Sequence, residues 1–163
     1  MENVNNNIMK SYKTISPNQT KLLAKKFTEK IKGGEVLGLI GDLGSGKTVF
    51  VQGLAKALGV KKIVNSPTFV LMKIYEIRES HIMYRVSRPT IHELVHIDAY
   101  RINNYHDLLD IGLDEYLNRE DTLVIIEWAD KVPEIKKTPG YVEIKFTLGK
   151  SKNTRVIKME NNL

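Results

Sequence analysis

One octapeptide constrains this chain more than any other feature: Gly41-Asp42-Leu43-Gly44-Ser45-Gly46-Lys47-Thr48, a G-x-x-x-x-G-K-[ST] pattern. With ordinary residue usage such a match arises by chance in roughly one chain per two hundred of this size. Its setting narrows it further. Val36 to Ile40 is a short apolar run between turn signals and reads as a buried strand. Lys47 to Leu58 then reads as a helix, with Phe50, Val51, Leu54 and Leu58 on one face and Gly59 as its stop. Strand, glycine-rich turn and helix N-terminus in that order are what phosphate binding requires. Glycines let the backbone wrap an anion with several N–H groups pointing inward, and the helix end adds positive potential. The expected nucleotide contacts are Gly41, Asp42, Leu43, Gly44, Ser45, Gly46, Lys47, Thr48 and Val49. Lys47 sets an ammonium against the β and γ phosphates, and the Thr48 hydroxyl ligates Mg²⁺.

The chain has 163 residues, the size of one domain, so residues 1–163 are read as a single unit. It contains no cysteine, which excludes a disulfide scaffold, a thiolate metal site and a thiol nucleophile. No apolar run reaches the ~18 residues of a membrane helix, and the start, MENVNNNIMKSYK, has no apolar core of a secretory signal. A cytoplasmic protein is expected. The net charge is +6, with +4 in residues 1–35, +5 in residues 131–163 and −3 between them. Those basic ends are open to two readings, attraction of a polyanion or ordinary solvated surface.

Residues 1–10 are expected to be disordered, on the strength of their asparagines. Ser16 is an N-cap candidate with Pro17 at the first helical position; Leu23, Phe27 and Ile31 follow at helical spacing, and Gly33-Gly34 are the expected stop. Phe69 to Tyr75 and Leu94 to Ile97 have strand composition. Tyr105 to Ile111 and Leu113 to Asn118 read as short helices broken at Gly112. Leu123 to Ile126 is a continuous apolar strand, and Tyr141 to Leu148 and Thr154 to Met159 alternate as half-solvated antiparallel strands do. The expected fold class is α/β, three layers around a mixed, partly antiparallel central sheet. Residues 76–93 read as an inserted loop or hairpin; His81 and His92 in it lack the carboxylate spacing of a metal site.

A magnesium–nucleotide site needs a carboxylate at the end of a neighbouring strand. Glu127, directly after Leu123-Val124-Ile125-Ile126, is the candidate metal ligand with Thr48, because ligands bind at the carboxyl edge of such sheets. Trp128 either packs over the nucleotide or belongs to the core. Asp98 ends the strand Leu94–Ile97 and is read as holding a metal-bound water or positioning the attacking water, and His96, two residues earlier, shares its side of the strand. Lys47, Asp98 and Glu127 are thus the candidate catalytic set. Arg101 neutralises charge on the γ-phosphate or makes a surface ion pair, and His96, Tyr100 and Trp128 are further candidate contacts with the γ-phosphate or a partner. Ser66, Pro67, Thr68 and Phe69 form either a phosphate-sensing switch segment or a plain turn before a strand. The adenine contacts are not legible; Ser16–Thr20 and Gly149–Asn153 are candidates only because their basic flanks can approach the loop mouth. Asn18-Gln19-Thr20 is a glycosylation sequon without a secretory context. Asn118-Arg119-Glu120-Asp121 is similar to a guanine-specificity motif, but it precedes a strand instead of following one and reads as a turn.

GDLGSGKT, SPTF, HIDAYR and LVIIEW, in that order, resemble the bacterial TsaE (YjeE) family of ATPases of tRNA threonylcarbamoyladenosine biosynthesis. The likeness runs from about Ser16 to Arg155 and includes Gly112-Leu113-Asp114-Glu115-Tyr116. It implies a single-domain P-loop NTPase fold and an ATPase, weak alone, that takes ATP with Mg²⁺ and leaves ADP. It further implies docking on the TsaB–TsaD pair, with hydrolysis driving or resetting that complex and tRNA met indirectly or by weak electrostatic contact. By motif match Thr48 and Glu127 hold Mg²⁺, Lys47 binds phosphates, Asp98 lies near the γ-phosphate and Ser66 to Phe69 are the switch. The segment Glu76–Glu93 is longer than the family's usual connection. The alternative from residues alone is a small-molecule or nucleotide kinase, for which Arg78, Arg85 and Arg88 are the only lid arginines. A nucleic-acid-binding module lacks an aromatic-interleaved basic strand.

Overall fold

A computed structural model describes residues 9–77 and 91–160. Seven strands form one sheet: β1 (Met9–Thr14), β2 (Val36–Ile40), β3 (Met72–Glu76), β4 (Glu93–Asp98), β5 (Thr122–Glu127), β6 (Tyr141–Leu148) and β7 (Arg155–Glu160). The spatial order is β1-β7-β6-β2-β5-β4-β3. β2 lies between β5 and β6, parallel to both, and β4 continues the parallel set beyond β5. β3 closes one edge antiparallel to β4; β7 and β1 extend the other edge antiparallel. The mixed sheet expected from the sequence is therefore present. The glycine-rich loop leaves the carboxyl end of the central strand, and Asp98 and Glu127, register partners, end β4 and β5.

Alternation along the parallel strands sends side chains to two separate cores. Leu37, Leu39, Leu94, Leu123 and Ile125 pack on one face, under α1 (Pro17–Phe27) and α2 (Lys47–Leu58). Val36, Val95, Ile97, Val124 and Ile126 pack on the other, under α3 (Tyr105–Asp110) and short 3-10 turns carrying Leu113, Val132 and Ile135. Both faces being covered explains why the parallel strands read as unbroken apolar runs. Phe50 of α2 holds the first core together, edge-on to Phe27 at 5.8 Å and to Phe146 at 5.6 Å.

α1 and α2 touch where α2 carries Gly53. A Cβ there would lie 2.6 Å from the Lys21 Cα and 2.7 Å from its carbonyl oxygen. Backbone cannot step aside as a side-chain tip can. Gly53→Ala, despite the ~1 kcal/mol helix preference for alanine, is expected to destabilise the fold by about 1–3 kcal/mol of overpacking, read as a lower melting temperature.

The structure moves several expected boundaries. Strand β1 begins at Met9, so order reaches into the stretch expected to be disordered; residues 1–8 lie outside the described residues. α1 ends at Phe27, not at Gly33-Gly34. The Thr28 hydroxyl bonds the Lys25 carbonyl at 2.6 Å, and the Glu35 carboxylate accepts the Lys32 and Gly33 N–H groups at 2.7 and 2.8 Å. These local bonds give the backbone an alternative to another helical turn. β3 starts at Met72, not Phe69, because Val70 and Leu71 donate back to the Pro67 carbonyl and Leu71 takes φ 62. Of residues 76–93, Glu76 pairs with Glu93 at the base of the β3–β4 ladder, and residues 78–90, including His81, Arg78, Arg85 and Arg88, lie outside the described residues.

Candidate nucleotide site

The loop between β2 and α2 holds its shape through glycine. Gly41, Gly44 and Gly46 have φ of 148, 73 and 101, which side-chain-bearing residues rarely adopt. A Cβ on Gly44 would meet no atom of the described residues beyond its chain neighbours within 4 Å, so within the chain it is its φ of 73, not packing, that calls for glycine. Lys47, at the first turn of α2, is buried and folds back over the loop: its Nζ donates to the Gly41 carbonyl at 2.6 Å and the Asp42 carbonyl at 3.0 Å. The same ammonium sits 3.7 Å from the centre of the Trp128 ring. Burial lowers its pKa below the ordinary 10.5, against the opposing pull of Glu127, Asp98, Asp130 and Asp42.

Thr48 and Glu127 meet. The Thr48 hydroxyl donates to the Glu127 carboxylate, 2.9 Å from Oε1 and 3.0 Å from Oε2. Glu127 is 3% exposed, and its Oε1 also lies 2.8 Å from His96 Nε2. His96 is fully buried and does not line the cleft, so it meets Glu127 and is not placed as a contact with a phosphate or a partner. The parallel register makes this possible, since Leu94, His96 and Asp98 of β4 face the same side as Leu123, Ile125 and Glu127 of β5.

Asp98 is held by the segment expected to switch. Its Oδ2 accepts from the Ser66 and Thr68 hydroxyls, each at 2.6 Å, and its Oδ1 accepts the Tyr100 N–H at 3.0 Å. Burial pulls this carboxyl upward, but the hydroxyl and N–H bonds, with His96 nearby, leave it below the ordinary 3.8. A carboxylate depressed in the folded state stabilises above its unfolded value. The Ser66–Thr68 clamp is therefore intact throughout the neutral range and weakens only as pH falls through the lower folded value.

A cleft of about 400 Å³ joins these parts, lined by residues of the glycine-rich loop and by Ser66, Thr68, Asp98, Tyr100, Glu127 and Trp128. Trp128 lines the cleft and also packs, partly buried, against the second core, with φ 60 and its ring 5.1 Å from that of Tyr100. Within the switch segment Pro67 is buried, and Phe69 is 86% exposed outside the cleft. Arg101 does not line the cleft; its guanidinium stacks over Phe69 at 5.1 Å. One residue escaped the sequence reading. Arg155, at the start of β7, donates to the Gly44 carbonyl at 2.9 Å and to the Lys152 and Thr154 carbonyls, tying the loop to the sheet edge. No motif announces it, because the contact spans 111 residues. A smaller cavity of about 70 Å³ beside Gly44 and Gly46 is bordered by Ser16, Pro17, Thr20, Asn153 and Arg155. It brings together the two segments considered for adenine, apart from Gly149–Lys152.

Three layers around a mixed sheet, with the glycine-rich loop leaving its central strand, place the chain in the P-loop NTPase fold class. The sequence profile described as threonylcarbamoyl adenosine biosynthesis protein TsaE matches residues 14–157. The chain belongs to the TsaE family. It is 38% identical over 123 residues to the tRNA threonylcarbamoyladenosine biosynthesis protein TsaE of Bacillus subtilis, covering 76% of this chain and 68% of that one. To the protein of that name from Rickettsia typhi it is 33% identical over 150 residues, covering 91% and 94%. The crystal structure of Bacillus subtilis YdiB superposes with a TM-score of 0.68 at 29% identity, over 93% of this chain and 84% of that one. Among the described residues no helix is long and apolar enough to cross a membrane.

Proposed function

We propose that this chain binds ATP with Mg²⁺ and hydrolyses it to ADP in tRNA threonylcarbamoyladenosine biosynthesis, driving or resetting a partner complex of the TsaB–TsaD type. The observation that carries the reading is the Thr48 hydroxyl against the Glu127 carboxylate at the head of the glycine-rich loop. Both donors are hard oxygens, the chemistry Mg²⁺ selects, and Mg²⁺ is commonly held by one or two carboxylates with substrate phosphates and water completing the shell. That fits the absence, among the described residues, of any cluster of three His, Cys, Asp or Glu able to hold a metal alone. Charge argues the same way. Two buried carboxylates, Asp98 and Glu127, line the cleft and would repel a bare triphosphate.

Thr48 and Glu127 would hold the cation, which when bound neutralises charge on the transferring phosphoryl group. Lys47 exchanges its two carbonyl contacts for phosphate oxygens. The loop N–H groups would orient the phosphates, with the γ-phosphate on the Asp98 side of the cleft. The Ser66 and Thr68 hydroxyls on Asp98 tie the position of that carboxylate to the switch segment, so a change at the γ-phosphate is felt at the exposed Phe69.

Among the described residues Lys47 is the only basic side chain lining the cleft. Phosphoryl transfer depends on positioning and charge neutralisation, so a site short of cations is slow. The rim is suited to a partner: Leu43, Phe69, Val70 and Tyr100 are exposed. The isolated chain is expected to release phosphate from ATP well below the roughly 1–100 per second of kinases, and to be accelerated by a TsaB–TsaD pair. γ-Labelled ATP tests this directly: label in inorganic phosphate that rises with the pair supports the reading, and label in an organic acceptor points to a kinase.

A further inference from the structure

One buried ring beside the nucleotide loop has no task in the function proposed above. His96 is fully buried in β4, on the face that carries Leu94 toward the core beneath α2. A polar ring there is costly unless it is bonded. Its Nε2 meets Glu127 Oε1 at 2.8 Å, reaching diagonally across the ladder from its register partner Ile125. A carboxylate oxygen only accepts, so Nε2 carries the proton of this bond. Nδ1 is buried with no hydrogen-bond partner among the described residues. The ring is thus committed to a single contact, and that contact is the carboxylate assigned to the metal.

We propose that His96 is a positioning residue: by holding Glu127 Oε1 it presents Oε2, with the Thr48 hydroxyl, as a preset oxygen pair for the divalent cation. This rests on the nucleotide–magnesium reading above. Without nucleotide, Glu127 has two anchors, Thr48 and His96. When the Thr48 oxygen turns to a cation, the Thr48 anchor is released and His96 is the bond that remains among the described residues. The terminal torsion of a glutamate is broad, so an unanchored carboxylate must be ordered at the moment of binding. Hydrogen-bond partners of metal-ligating groups supply that order in advance.

Calorimetric titration of a non-hydrolysable ATP analogue at stepped Mg²⁺ concentrations tests the assignment on the full chain. His96→Leu fills the space without a donor, whereas His96→Gln returns an amide N–H at the reach of Nε2. His96→Leu is expected to raise the Mg²⁺ midpoint by roughly tenfold to a hundredfold and to leave analogue affinity in EDTA unchanged. His96→Gln is expected to bring the midpoint back toward that of the unaltered protein. An unaltered midpoint in His96→Leu overturns the assignment. So does an equal shift in both variants accompanied by equal falls in melting temperature, which would be packing alone. Analogue affinity of the unaltered protein that is the same with and without Mg²⁺ would instead overturn the proposed function, and this assignment with it.

Discussion

Lys47→Ala is expected to abolish measurable ATP binding and turnover while leaving the fold intact. In the structure the ammonium is buried and bonded to the Gly41 and Asp42 carbonyls, and burial already disfavours its charge. Removing it therefore costs the folded chain little, since an unfavourable burial leaves with the two bonds. The nucleotide complex has no such compensation. A hydrogen bond to a charged group contributes about 1.5–3 kcal/mol, a loss of roughly tenfold to a hundredfold in affinity for each phosphate contact removed. No other basic side chain among the described residues lines the cleft to take its place. Calorimetry with ATP and Mg²⁺, beside a thermal melt, reads both halves. Retained affinity would remove the loop from the binding site, and a collapsed melt would mean that the lysine is structural.

Glu127→Ala should separate binding from hydrolysis. On the proposed reading nucleotide contact runs mainly through the loop and Lys47, so affinity without Mg²⁺ is expected to hold, and deleting a buried negative charge near the phosphates would favour it. On the same reading hydrolysis depends on the cation, and losing one preorganised electrostatic group at a reacting centre costs roughly 10²–10³ in rate. Glu127→Gln is the companion variant. It keeps one acceptor oxygen for the His96 and Thr48 donors, removes the charge and exchanges the second oxygen for an amide NH₂ that cannot ligate a cation. Both variants should lose magnesium-stimulated phosphate release in a partner-activated assay. Full activity in either one would displace Glu127 from the metal assignment.

The parts of the site that were legible in the sequence are those whose chemistry is local. Gly41, Gly44 and Gly46 take positive φ without a Cβ penalty, and the loop pattern places glycine at those positions directly. β6 spans Tyr141–Leu148, as its alternation indicates, and α2 spans Lys47–Leu58 with Gly59 as its left-handed stop. Legibility fails where short-range bonds compete with periodicity, as at Thr28 and Leu71. It fails again where a strand carries little apolar signal. β1, with the sequence MKSYKT, is ordered by pairing along β7 and by the buried Thr14–Thr20 hydroxyl contact at 2.9 Å, and neither shows in its own composition.

The sequence by itself determined that a strand, a phosphate-type loop and a helix follow one another, and that Asp98 and Glu127 end apolar strands. Backbone preference and hydrophobic period act over a few residues, and a linear reading captures them. Only the tertiary structure decided that Glu127 meets Thr48 from 79 residues away, that Asp98 is clamped by Ser66 and Thr68, that His96 turns to Glu127 and that Arg155 grips the loop. It also decided that Arg101 stands over Phe69 outside the cleft. These contacts depend on which strands lie side by side and on the register between them. That order is settled by closing two cores on opposite faces of one sheet, a condition on the whole chain that no short segment carries.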